Sequence, residues 1–185
     1  ILLALSGVPG FVAGRRARWA EWVAVATTSA AAMLGLLGTL IQDSGSEIHL
    51  PWGLPWGRFA VAADPISRVF LLPVFLIPAL GTLYGLGYWS QRDHPNNARK
   101  LRFFYGLMPA AMTVVILARD GALFLVAWEI MALSAFFVVT TEDDQREARN
   151  AGWVYFIATH VGTLSLFALF AVLRLATGSF SLTPM

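Results

Sequence analysis

Six apolar segments, divided by charged or turn-forming connections, leave this chain one architecture: an all-α, polytopic bundle of transmembrane helices. Ile1–Gly14 reads as the tail of a first span. Trp22–Ile41, Val69–Ser90, Phe103–Ala118, Gly121–Thr141 and Ala151–Leu173 follow as spans two to six. A helix rises about 1.5 Å per residue and the hydrocarbon core is about 30 Å thick, so segments of about 20 residues suffice. Pro73, Pro78 and Pro109 fall inside these segments. Proline breaks soluble helices, whereas membrane helices tolerate it through kinks that neighbouring helices repair.

Composition narrows the function classes. Only 13% of the residues are charged and 57% are hydrophobic, against about 25% charged in soluble domains. The absence of cysteine excludes disulfides, thiolate metal sites and cysteine-held iron–sulfur clusters within these residues. His49, His94 and His160 lie far apart without metal-ligand spacing, so neither a metal nor a cofactor is expected. Basic residues gather at the ends of apolar segments, which points to the lipid bilayer and not to nucleic acid as a partner. Ile1 lies inside an apolar run and Met185 soon follows another, the pattern of a fragment of a longer membrane protein.

The basic residues also orient the spans. Arg15, Arg16, Arg18, Arg92, Arg99, Lys100, Arg102, Arg146 and Arg149 fall on one set of alternating loops; Arg58, Arg68, Arg119 and Arg174 fall on the other. The positive-inside rule puts the larger set in the cytoplasm and the N-terminus outside. Of the long outer connection, the stretch His49–Trp56 suits an interfacial hairpin with its indoles at headgroup level; ligand binding is the alternative reading. Asp64-Pro65 reads as an N-cap followed by proline at the first helical position, with ion binding as the other possibility. Arg119 and Asp120 read as a turn and interface pair, and residues 142–150 as a solvated charged turn.

Glu129 is the only charged residue between Gly121 and Thr141. It lies about 12 Å from one end of its span, near the midplane. A charge there costs about 3 kcal/mol to insert and persists where it meets a partner, a cavity or a proton path. His160 lies about 15 Å into the sixth span, which shares a short loop with the fifth, so the two groups reach similar depths on adjacent antiparallel helices. Burial disfavours the charged form of each group and mutual attraction favours it, a balance suited to a change of protonation. Thr159, Thr163 and Ser134 supply hydroxyls nearby for water or polar support. The alternative is a packing contact between helices, worth about 1 kcal/mol.

The run Phe124-Leu125-Val126-Ala127-Trp128-Glu129-Ile130-Met131-Ala132-Leu133-Ser134 resembles the fifth-span signature of antiporter-like membrane subunits. These are the large proton-translocating subunits of complex I, Mrp-type antiporters and membrane-bound hydrogenases. Asp64-Pro65-Ile66-Ser67, leading to Tyr88-Trp89-Ser90, is similar to the family's third span. Ala151–Thr163 resembles most the branch of hydrogenase-4 component B and formate hydrogenlyase subunit 3. The resemblance runs from about Asp64 to Leu173 and implies a fold of about 14 spans with two inverted repeats. It also implies that the glutamate matching Glu129 gates protons with a lysine on the seventh span, expected past Met185. Complex I subunits often have Thr-Arg-Val-Gly-Asp where this chain has Thr159-His160-Val161-Gly162-Thr163, a departure that favours the hydrogenase branch.

The resulting expectation divides the chain into 1–63, spans one and two with the outer loop, and 64–185, the start of the translocating domain. Its function is that of a non-redox, proton-translocating subunit of a redox-driven complex in the bacterial or archaeal cytoplasmic membrane. Other membrane subunits and, through them, a peripheral redox arm are its partners. A cation/proton antiporter subunit and a structural membrane anchor are the alternatives.

Overall fold

The computed structural model describes residues 1–12, 18–41, 47–53 and 57–182; Arg15, Arg16, the Arg18 side chain and Leu54-Pro55-Trp56, used above for topology and the outer loop, lie outside them. In chain order come α1 (Leu2–Leu5), α2 (Val8–Val12), α3 (Arg18–Ile41), β1 (Glu47–Leu50), β2 (Phe59–Ala62), α4 (Pro65–Tyr88), α5 (Ala98–Leu117), α6 (Gly121–Val139) and α7 (Arg146–Thr177). Five of these, α3 to α7, are long and apolar enough to cross a membrane.

The N-terminal stretch differs from the expected end of a span. It forms two short helices separated at Ser6-Gly7. Ser6 turns its hydroxyl back onto the Leu3 carbonyl at 2.7 Å. At Gly7 a β-carbon would sit 2.2 Å from Cα of Phe103, so the turn is pressed directly onto α5. Close packing on α5 overrides the apolar run's tendency to continue as one helix.

Asp64 accepts a hydrogen bond from the Ser67 amide at 2.6 Å, and Pro65 follows at the start of α4. Both α4, with Pro73 and Pro78, and α5, with Pro109, continue through their prolines. The helix α5 starts five residues earlier than its apolar run because its first turns carry charges with partners: Lys100 meets Asp143 and Arg102 meets Glu21. At about 48 Å, α7 exceeds the hydrocarbon thickness, with a polar first turn. It stops at Gly178, whose φ of 73° is left-handed backbone that glycine adopts without penalty.

Leu3, Ala31, Ala32, Leu71 and Phe75 form a core where α1, α3 and α4 meet. At one end of the bundle, β1 and β2 pair antiparallel with Glu47 opposite Ala62 and Leu50 opposite Phe59. Trp52 packs on Phe59 with ring centres 5.7 Å apart, beside the paired strands. The α5–α6 turn runs between this hairpin and the segment after α7. Arg119 donates its amide to Ala60 O at 2.8 Å and accepts from the Leu182 amide at 2.9 Å. Arg119 also donates to Asp64 at 2.8 Å, tying the turn to the start of α4.

Candidate functional site in the α6–α7 seam

Asp120 opens α6 by accepting from the amides of Ala122 and Leu123 at 2.9 and 3.3 Å. From there α6 runs antiparallel to α7, and small residues let the two approach. A β-carbon on Gly152 would lie 2.1 Å from Cγ2 of Thr140, and one on Gly121 would lie 2.7 Å from the Phe170 ring. Phe136 and Phe156 meet edge to face at 5.5 Å. These contacts fix the register of the helix pair from both ends.

That register brings Glu129 and His160 together. Oε2 of Glu129 lies 3.7 Å from Nε2 of His160, an ion-pair distance just beyond hydrogen-bond range. The other imidazole nitrogen, Nδ1, lies 2.9 Å from the Phe156 carbonyl one turn back. A carbonyl only accepts, so Nδ1 carries a proton and Nε2 is the nitrogen presented to the carboxyl group. The Phe156 ring also packs on the imidazole at 4.0 Å, limiting its rotation. Oε1 of Glu129 is buried and has no hydrogen-bond partner among the described residues. A groove of about 530 Å³ lies beside Glu129, walled by Leu125, Ile130, Leu133, Phe167 and Phe170, and Glu129 is the one ionisable group among the described residues that line it. Such a pair can hold one shared proton, as carboxylic acid with neutral imidazole or as carboxylate with imidazolium.

The three hydroxyls expected to give polar support each donate to a carbonyl of their own helix. Ser134 donates to its own helix at Ile130 O, 2.6 Å, and Thr159 to Tyr155 O and Phe156 O at 2.9 and 3.0 Å. Thr163 does reach across the seam: it accepts from the Trp128 indole at 3.2 Å while donating to Thr159 O at 3.1 Å. Among the described residues no group of three His, Cys, Asp or Glu side chains is positioned to hold a metal.

One ionic centre escaped the reading of the sequence. Glu21 on α3 is buried, 6% exposed, and pairs with Arg102 on α5. Gln91 completes the network, donating its backbone N–H to Glu21 at 3.1 Å and accepting from Arg102 on its side-chain oxygen at 2.8 Å; Arg102 also donates to Trp89 O at 3.1 Å. Counting Arg102 only as a loop charge, and starting the second span after Glu21, hid the pair. Its signal was one acidic and one basic residue at the ends of two spans on the same predicted side.

The family described as NADH:quinone oxidoreductase/Mrp antiporter, transmembrane, matches residues 118–185, which contain Glu129 and His160. Hydrogenase-4 component B of Escherichia coli (strain K12) is 28% identical over 116 residues, 63% of this chain and 17% of that protein. Among solved structures, the fold matches the membrane-bound sulfane sulfur reductase, an archaeal respiratory membrane complex, with TM-score 0.76 and 19% identity over 98% of this chain and 28% of the other. It matches the Mrp complex from Dietzia sp. DQ12-45-1b with TM-score 0.76 and 23% identity, over 97% and 19% of the two chains. The chain spans about a fifth of the length of the curated relatives it matches.

Proposed function

We propose that this multi-pass membrane chain is part of an antiporter-like membrane subunit and contributes the Glu129–His160 proton-transfer pair of a proton-translocating subunit. The observation that carries this reading is the facing of Glu129 Oε2 and His160 Nε2 at 3.7 Å, with Nδ1 already committed to Phe156 O. A side-chain displacement of about 1 Å brings the two atoms to hydrogen-bond length, a tightening common in proton-transfer sites. The proton on Oε2 then moves to Nε2, leaving carboxylate and imidazolium while Nδ1–H stays on Phe156 O. Oε1 remains free to accept from a second donor, so one carboxylate serves two directions.

Residues 64–185 carry the translocating part in this reading, with residues 1–63 joined to it through Glu21 and Arg102. The partners are further membrane subunits and, through them, a redox arm that supplies the driving energy. The helix ends and turns carrying Arg92, Arg99, Lys100, Arg102, Arg146 and Arg149 face the cytoplasm of a bacterial or archaeal cell, by the positive-inside rule. The likeness to the Na(+)/H(+) antiporter subunit A1 of Staphylococcus aureus favours a second driving mode, exchange of a cation against protons.

Proton uptake in vesicles holding the intact complex tests the reading. Glu129→Gln is expected to assemble normally and lose redox-driven translocation; normal translocation by that variant overturns it. Sodium-dependent proton exchange without a redox partner selects the antiporter mode.

A further inference from the structure

We propose that Trp128 and Thr163 are positioning residues that set the geometry of Glu129 against His160. The proposal rests on the reading of that pair given above. Their bond, 3.2 Å from the Trp128 indole nitrogen to the Thr163 hydroxyl, is the only hydrogen bond between α6 and α7 among the described residues. It lies beside the pair on both helices. Trp128 adjoins Glu129 in the chain, and Thr163 is one helical turn from His160.

Each partner is itself held. The Thr163 hydroxyl donates to Thr159 O at 3.1 Å, so its lone pairs are left to receive the indole N–H. Thr163 is 4% exposed, which keeps water from competing for that bond. On the other side, the Trp128 ring stacks on Phe124 at 5.9 Å with 17° between planes, and Phe124 packs on Phe170 at 5.5 Å. The indole is therefore a stiff bar between two anchored ends.

The rest of the seam needs such a bar at mid-span. Its close contacts at Gly152–Thr140 and Gly121–Phe170 lie toward the two ends, and the Phe136–Phe156 contact one turn from His160 is apolar. Rotation by a small angle moves Nε2 away from Oε2, a separation already at the margin of contact. The Trp128–Thr163 bond resists that rotation because a hydrogen bond is directional where apolar packing is not.

Infrared difference spectra of the intact subunit, with the Glu129 carboxyl band identified by its loss in Glu129→Gln, decide the question alongside proton uptake. Thr163→Val keeps the shape and removes the acceptor; Trp128→Phe removes the donor; Thr163→Ser keeps the hydroxyl. The expected result is a displaced or broadened Glu129 band and about three- to tenfold slower uptake in the first two variants, with band and rate restored in Thr163→Ser. The double variant is expected to be no worse than either single one. An unchanged Glu129 band in folded Thr163→Val and Trp128→Phe overturns the positioning role. Because the band reports the surroundings of the carboxyl group and not turnover, it settles this proposal even where Glu129→Gln translocates normally and the functional reading fails.

Discussion

Glu129 and His160 meet across the α6–α7 seam with Oε2 and Nε2 3.7 Å apart, while the Glu129 atom Oε1 is buried without a hydrogen-bond partner among the described residues. The imidazole has no comparable freedom, since Nδ1 is tied to Phe156 O at 2.9 Å. His160→Ala removes the acceptor for the shared proton and is expected to slow proton uptake by about 100-fold, within the range for a positioned acid–base group. Stopped-flow uptake in vesicles measures it, and an undiminished rate would remove His160 from the path.

The Glu21–Arg102 pair predicts a different kind of failure. Arg102→Met leaves the Glu21 carboxylate buried without its cation, and is expected to cost about 3–5 kcal/mol. Glu21→Leu combined with Arg102→Met removes both charges and is expected to recover most of that loss. Thermal unfolding in detergent compares the two, and a double variant as unstable as Arg102→Met would show that the charge is not the cause.

Asp64 gives the pH dependence of the hairpin end. The Ser67 amide and, less strongly, the Arg119 guanidinium hold its carboxyl below the ordinary value of 3.8. A carboxyl depressed on folding stabilises fully above its ordinary value, and the contribution is lost as pH falls through the folded one. Asp64→Ala should therefore lower the melting temperature at neutral pH, and the gap to wild type should close in acid below about pH 3.8. A gap that is constant from pH 7 downward would mean that the charge contributes nothing.

Gly152 tests how closely the seam is packed. Alanine normally favours a helix over glycine by about 0.5–1 kcal/mol. Here the added methyl group would meet Cγ2 of Thr140, whose hydroxyl is held on Phe136 O at 2.8 Å. Gly152→Ala is expected to destabilise by about 1–3 kcal/mol. Thr140→Ser, which deletes Cγ2 and keeps the hydroxyl, is expected to relieve it. Stabilisation by Gly152→Ala alone would show that the seam has room.

Hydrophobic length and loop chemistry made much of this molecule legible from residues alone. Long apolar runs must be helices in a membrane, because backbone groups there find no water. Asp64-Pro65 marked the start of α4 because capping depends on residues within one turn. The shared depth of Glu129 and His160 followed from rise per residue and a common loop. Local rules fail where a partner is distant in sequence. Nothing near Ser6-Gly7 announces α5 pressed against it, and only tertiary packing divides that apolar run into α1 and α2. The same holds for Glu21, whose partner Arg102 lies on another helix. Depth could be counted along each helix, but the rotation of α7 about its axis could not. That rotation decides whether His160 faces Glu129, and it is set by contacts between helices, at Gly152, Thr163 and Phe170, that no single segment contains.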